Sequence, residues 1–382
     1  MNVLLLTWEF PPNKVGGIGS HCYDLSRELT SMGHEVDVIT YGEQESEEET
    51  DGVRVHRVPS TWAPDTISWA MFLGHRMEKK AIEINKERKI EVLHAHDWMT
   101  VPGAVGIKKM LGVPMAFTIH STEAGRNGVY SEYSRMINDL EWYGTYEANE
   151  IITVGRDFSE EIKSRFHPPA EKVHYIPNGM DLKRYDEATR NTKRSDYAGD
   201  WEKIVFFAGR MVRQKGVEHL IDAVPNVLKE HRDAKFVLAG GGNLDEYRAI
   251  AAHKGVSDKT YFLGQVDEQM IFSLFKIADV SVAPSVYEPF GIVALESFAG
   301  ETPMVASSVG GFKETVKHEW SGLHTYPANS QSIADQLNRV LSDEKWGSWM
   351  GRNGRKDTEE NYRWDKIAAY TTGVYGRAME LW

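Results

Sequence analysis

Short apolar runs recur along the first half of the chain at Val3 to Thr7, Glu35 to Thr40, Val92 to Ala95, Pro114 to Ile119 and Ile151 to Val154, with helix-length segments between them. Such runs, rich in Val, Ile and Leu, read as strands, and an intervening helix lets successive strands lie parallel with both faces covered. The series stops near Tyr175-Ile176-Pro177-Asn178-Gly179, and a polar stretch from Asp186 to Asp200 comes next as the candidate linker. A second series then begins: Lys203 to Ala208, Lys235 to Ala239, Tyr261 to Leu263, Val280 to Ala283 and Met304 to Ala306. The pattern predicts an α/β protein of two Rossmann-like, doubly wound parallel-sheet domains, residues 1–180 and 190–363. A length of 382 residues suits two separate cores.

Composition narrows this picture. With 44 basic and 56 acidic residues the formal charge is -12, which argues against nucleic acid as a partner, since phosphates need a broad basic face. The acidic run Glu43 to Asp51, with six carboxylates in nine positions, reads as a solvated loop. The one cysteine, Cys22, fits a reducing compartment and reads as a packed thiol rather than a nucleophile. Val3 to Leu6 lacks the basic flank and cleavage site of a signal peptide, and no apolar stretch reaches the roughly 20 residues of a membrane span. These readings predict a soluble, cytoplasmic protein without a stable membrane anchor.

In open parallel sheets the residues just after each strand carry the chemistry. The first strand leads into Lys14-Val15-Gly16-Gly17 before a helix, where glycines and free helical N–H groups could hold an anion or could simply make a tight turn. Two further strands end in His94-Ala95-His96-Asp97-Trp98 and Thr118-Ile119-His120. His96, Asp97 and His120 project from strand ends and suit substrate hydroxyls; a metal reading of these histidines is disfavoured, because His94 lies within its strand. In the second half, Gly209-Arg210 ends a strand and Lys215-Gly216 opens the next helix, placing a planar fork and an ammonium where a diphosphate could bind. The richest segment is Glu288-Pro289-Phe290-Gly291-Ile292, with Glu296 on the helix beyond it. A carboxylate on so apolar a helix needs hydrogen-bond donors, and sugar hydroxyls are suitable ones. A glycosidase pair is hard to reconcile with the basic and glycine-rich features, and no Asp-x-Asp motif stands at a strand end.

Together these motifs resemble the retaining nucleotide-sugar glycosyltransferases of family 4, most closely the glycogen-synthase-like α-glucosyltransferases of bacteria and archaea. The resemblance covers nearly the whole chain: Gly16-Gly17, His120, Gly209-Arg210 with Lys215-Gly216, and Glu288 with Glu296 eight positions on. It implies a GT-B architecture of two domains facing across a cleft, with a final helix within 364–382 crossing back to the first. It implies a hexose, glucose in the closest relatives, passing with retention from an ADP-, UDP- or GDP-linked donor to a carbohydrate acceptor such as an α-1,4-glucan, with no obligatory metal or other cofactor. Arg210 and Lys215 would hold the donor diphosphate with Lys14, Gly16, Gly17 and Gly209. Glu296 would accept the ribose hydroxyls, and Glu288 with the backbone of Phe290, Gly291 and Ile292 would grip the sugar. His120 would lie beside the anomeric carbon, Asn178 near the sugar's 6-hydroxyl and Asp97 towards the acceptor. Front-face attack and a covalent intermediate both stay open, as does the oligomeric state.

The acidic run in the first domain favours a soluble acceptor over a lipid. Thr61 to Met77, with Trp62, Trp69, Met71 and Phe72, reads as an amphipathic helix or an acceptor surface. Two rivals remain. A nicotinamide dehydrogenase would need a dinucleotide fingerprint absent from the sequence, and a non-catalytic two-lobed sugar-binding protein would not need Arg210 and Lys215.

Overall fold

The computed structural model describes residues 1–13, 16–187 and 192–382. Two compact units are formed, one by Met1–Gly179 with Trp364–Trp382, the other by Met180–Arg363.

The first unit is built on eight strands: β1 (Asn2–Leu6), β2 (Glu35–Tyr41), β3 (Ser46–Thr50), β4 (Val53–Val58), β5 (Val92–His96), β6 (Met115–Ile119), β7 (Glu150–Thr153) and β8 (Val173–Tyr175). They lie in the order β3-β4-β2-β1-β5-β6-β7-β8, parallel except for β3. Helices α1 (Gly17–Ser31) and α2 (Thr66–Glu87) are among those that cross between parallel strands. The core beside β1 gathers Val3, Leu5, Cys22, Leu25, Val36 and Val38, and the final helix Trp364–Glu380 closes it with Trp364, Ile367 and Tyr375. Cys22 is fully buried there, and burial pushes its thiol well above the ordinary range, so it packs as an inert side chain.

The acidic run is exposed, as its charge dictates, but it is not a loop. Ser46–Thr50 pairs antiparallel with β4 as an edge strand. Cations across from it make that possible: Arg57 Nη2 lies 2.7 Å from Glu48, and Lys80 Nζ lies 2.9 Å from Glu45 and 3.3 Å from Glu47. Charges on an edge strand also discourage pairing with another chain.

The second unit holds six parallel strands, β9 (Lys203–Ala208), β10 (Ala234–Ala239), β11 (Thr260–Gly264), β12 (Val280–Ala283), β13 (Met304–Ser307) and β14 (Gly322–Thr325), ordered β11-β10-β9-β12-β13-β14. Its core centres on Phe207, Ile221, Val224, Phe236, Val282 and Leu337. The expected linker is packed over its described part: Arg194 donates to Asp279 Oδ2, Ile277 O and Glu202 O, each at 2.6 Å. A guanidinium shared among three oxygens ties this polar stretch to the second unit.

Candidate active site

Among their parallel strands each sheet reverses its strand order once, between β1 and β5 in the first unit and between β9 and β12 in the second. Crossovers leave to opposite faces at such a switch point, which opens a crevice at the carboxyl ends of the strands. The residues expected from the sequence stand largely there: Asp97 after β5, His120 after β6, Gly209 and Arg210 after β9, and Glu288 after β12.

In the first unit Asp97 has a left-handed backbone, with φ of 57°, uncommon for a residue with a side chain. Its carboxylate is 3% exposed, and Oδ1 accepts the His120 backbone N–H at 2.7 Å, which fixes the ends of β5 and β6 together. Burial pushes the Asp97 carboxyl up to about 6, against the opposing pull of Arg126 and of the His120 and Ser121 amides. The same desolvation pushes the His120 imidazole down to about 3. His120 is therefore a neutral ring that can donate or accept one hydrogen bond. Its Nε2 lies 3.1 Å from His96 Nδ1, and its ring stacks edge-on with His21, centroids 4.8 Å apart. His21 Nδ1 in turn meets Asn178 Oδ1 at 2.8 Å. Burial lowers both His21 and His96 well below the ordinary histidine range. His94 is a satisfied core residue, bonded at 2.7 Å to both Tyr375 Oη and Thr118 Oγ1.

At the glycine turn before α1 two of the backbone N–H groups already have an acceptor. Glu9, 2% exposed, accepts the Gly16 N–H at 2.8 Å and the Gly19 N–H at 3.0 Å. A carboxylate at a helix N-terminus complements the macrodipole and caps otherwise orphaned donors. Gly16 and Gly17 are both exposed, and Lys14 lies outside the described residues.

In the second unit Lys215 and Glu288 find each other. Lys215 Nζ lies 2.6 Å from Glu288 Oε2, which also accepts from Ser285 Oγ at 3.2 Å. Glu288 is 8% exposed, so its charge is matched inside the protein rather than by water. The two loops that carry them are laced by Val286 N–H to Gln214 O at 2.9 Å and Gln214 Nε2 to Tyr287 O at 3.2 Å. Gly216 makes the turn possible, with φ of 64° and room only for hydrogen, since a Cβ would stand 2.1 Å from Pro284 O. Gly291, φ 87°, caps the helix Ile292–Ala299; Phe290 is buried, while Ile292 and Glu296 are half-buried. Arg210 is exposed at the end of β9, beside half-buried Gly209. The structure thus gathers His120, Asp97 and Asn178 in one unit, and Lys215 and Glu288 in the other. Sequence reasoning missed Glu9 and His21; Glu9 shares the first strand-to-helix loop with the glycines, and His21 comes after them on α1.

Beside β1 a pocket of about 430 Å³ is lined by Trp8, Ala63, Asp65, Thr66, Trp69 and Met99. Trp62 next to it is 85% exposed. The helix expected over this segment is α2, which buries Ile67, Ala70, Leu73 and Met77 and leaves Met71 and Phe72 exposed. Among the described residues no helix is long and apolar enough to cross a membrane.

Two doubly wound α/β units of this kind are the GT-B form of a glycosyltransferase, and comparison with known proteins agrees. Residues 15–184 match the model for Glycosyltransferase Family 4, and residues 189–357 match that for Glycosyl transferases group 1. An uncharacterised glycosyltransferase of Methanocaldococcus jannaschii is 44% identical over 100% of this chain and 99% of its own length. Glycogen synthase of Mycobacterium tuberculosis is 32% identical over 98% of this chain and 94% of its own. The solved sucrose-phosphate synthase of Thermosynechococcus elongatus superposes with a TM-score of 0.83 at 23% identity, over 99% of both chains. The chain belongs to the glycosyltransferases that combine the family 4 and group 1 domains, with glycogen-synthase-like relatives.

Proposed function

We propose that this protein is a cytoplasmic, retaining glucosyltransferase that moves glucose from a nucleoside diphosphate sugar to a hydroxyl of an α-1,4-glucan without an obligatory metal. The observation that carries the proposal is the Lys215–Glu288 pair, 2.6 Å apart, at the switch point of the second sheet, with Arg210 in the same β9-to-helix loop as Lys215. Similarity over nearly full length to a glycogen synthase supports glucose and glucan as substrates. Breaking the sugar–phosphate bond builds charge on the leaving diphosphate, and fixed cations stabilise that charge most in a water-poor site. Arg210 supplies an exposed fork and Lys215 an ammonium already held in place.

In this reading Glu288, with the backbone of Phe290, Gly291 and Ile292, receives the sugar hydroxyls, and Glu296 the ribose hydroxyls. Neutral His120 serves the anomeric centre, Asn178 the 6-hydroxyl and Asp97 the acceptor hydroxyl. The leaving phosphate itself is the base, so Glu288 need not act as a nucleophile. The pocket lined by Trp8 and Trp69 offers aromatic faces to the acceptor.

The deciding measurement is nucleoside diphosphate release from ADP-, UDP- and GDP-glucose, with and without a short α-1,4-glucan, in the presence of a chelator. Glucan-stimulated release from one donor supports the full reading. Release indifferent to glucan would redirect the acceptor towards a small metabolite or a lipid. No release from any donor would sink the proposal in favour of sugar binding without chemistry.

A further inference from the structure

Sugar transfer gives His120 a task and leaves His21 and His96 without one. His21 stands on α1, His96 ends β5 and His120 comes directly after β6, and one ring nitrogen from each lies within 4.8 Å of the other two. We propose that His21, His96 and His120 bind one divalent transition-metal ion of the zinc class, and that its occupancy shuts off the transferase. The inhibitory half rests on the proposed role of His120; the binding half does not.

The spacing carries the binding half. Two nitrogens held by one tetrahedral Zn²⁺ at about 2.0–2.1 Å stand about 3.3–3.4 Å apart. His96 Nδ1 and His120 Nε2 are 3.1 Å apart before any ion enters, so small rotations suffice for that pair. Whichever of these two nitrogens carries the proton passes it to the second nitrogen of its own ring when the ion takes both lone pairs, so that each imidazole ligates in its neutral form. The wider separations, up to 4.8 Å, have to close by movement of the side chains as the ion enters.

His21 is prepared from behind. Asn178 Oδ1, 2.8 Å from Nδ1, accepts the proton there and leaves the Nε2 lone pair for a ligand. A ligating histidine almost always has such a partner on its second nitrogen. His21 and His96 are buried while His120 is half-buried, which leaves one side for water as a fourth ligand. All-imidazole donors favour zinc, copper or nickel over magnesium or calcium. An ion held by His120 would take away the lone pair and the space that the transferred sugar needs.

The test uses the full chain, stripped with a chelator and titrated with Co²⁺ and then Zn²⁺. One Co²⁺ per chain with the visible bands of a four- or five-coordinate nitrogen site, displaced by Zn²⁺, is expected. Asn178→Ala should weaken Zn²⁺ binding about 10–100-fold, the usual cost of losing an outer partner, and His21→Ala should weaken it more. In the transferase assay Zn²⁺ should inhibit, a chelator should restore activity, and H21A should resist. Failure to take up Co²⁺, or a His21→Ala protein that binds Zn²⁺ as tightly as the parent, overturns the site. Should H21A not fold, X-ray absorption on the zinc-loaded parent decides, three imidazole nitrogens being required. Tight binding with undiminished turnover overturns the inhibitory half. A chain with no transferase activity at all would remove the reading of His120 and leave Co²⁺ uptake to judge the metal site.

Discussion

Lys215 Nζ and Glu288 Oε2, 73 positions apart in the chain, stand 2.6 Å from each other at the ends of neighbouring strands β9 and β12. The ammonium is thereby held in one place, beside a carboxylate group that is only 8% exposed. A single contact links a proposed diphosphate ligand to a proposed sugar ligand, so neither can be changed without disturbing the other.

Lys215→Ala removes the cation and strands the buried carboxylate. We expect kcat to fall about 10²–10³-fold, the cost of one electrostatic stabiliser of a developing charge. Thermal unfolding should also come earlier, because an unpaired buried carboxylate is left behind. Steady-state kinetics beside a melting curve checks both. Unchanged kcat with a lowered melting point would make the pair purely structural.

Glu296→Ala should act on binding rather than chemistry. Removing a charged acceptor from two hydroxyls costs about 1.5–3 kcal/mol, roughly a 10–100-fold rise in donor KM, with kcat little altered. Inhibition by the free nucleoside diphosphate should weaken by the same factor. Equal inhibition constants for parent and variant would take Glu296 out of the ribose site.

The strands were legible wherever an apolar run was uninterrupted: β9 and β12 carry the bounds their sequences suggest, and β1, β2, β5 and β6 lie within one residue of them at each end. β3 was hidden because its residues are charged, and Arg57, Lys80 and His56 from other elements make it a tolerable strand. β8 and β14 escaped because they are short and only partly apolar. Strand-end chemistry was legible for the same reason as the strands, since a switch-point sheet exposes the residues at the carboxyl ends of its strands. Contact across sequence was not legible. Nothing near Lys215 announces Glu288. Glu9 lies in the same loop as Gly16, but its capping role depends on a carboxylate turning back onto α1.

That cap makes its own prediction. Glu9→Ala leaves the Gly16 and Gly19 N–H groups without their acceptor and removes negative charge from the start of α1. The expected loss is about 1–3 kcal/mol, the cost of a largely buried donor left unsatisfied. Denaturant unfolding would measure it. Added phosphate or nucleoside diphosphate should recover part of the loss if the vacated helix end accepts an anion. Stability equal to the parent would mean that water replaces the carboxylate at no cost.

Asp97 gives one limb of the pH dependence. Its folded-state value of about 6 stands above the 3.8 of an unperturbed aspartate, so between these values the folded chain holds a proton that the unfolded chain has lost. This group therefore makes folding less favourable as pH rises from about 4 to about 6, by an amount on the order of 3 kcal/mol for a shift of two units. Activity should move the other way. An acceptor hydroxyl is best oriented by an ionised carboxylate, so kcat/KM should climb as pH rises through about 6 and level off above it. Asp97→Asn should erase this limb of the activity profile and remove this group's share of the stability change over the same interval, to which Glu141, raised to about 8, and the lowered histidines also contribute, while lowering kcat/KM at neutral pH. His120, already neutral in the folded chain from about 3 upward, adds no step to the activity profile in this range; in the unfolded chain it still binds a proton there, so it makes folding more favourable as pH rises and works against the Asp97 contribution. A profile that keeps its acid limb in D97N would assign the titration to another group and leave Asp97 only the task of fixing the His120 backbone.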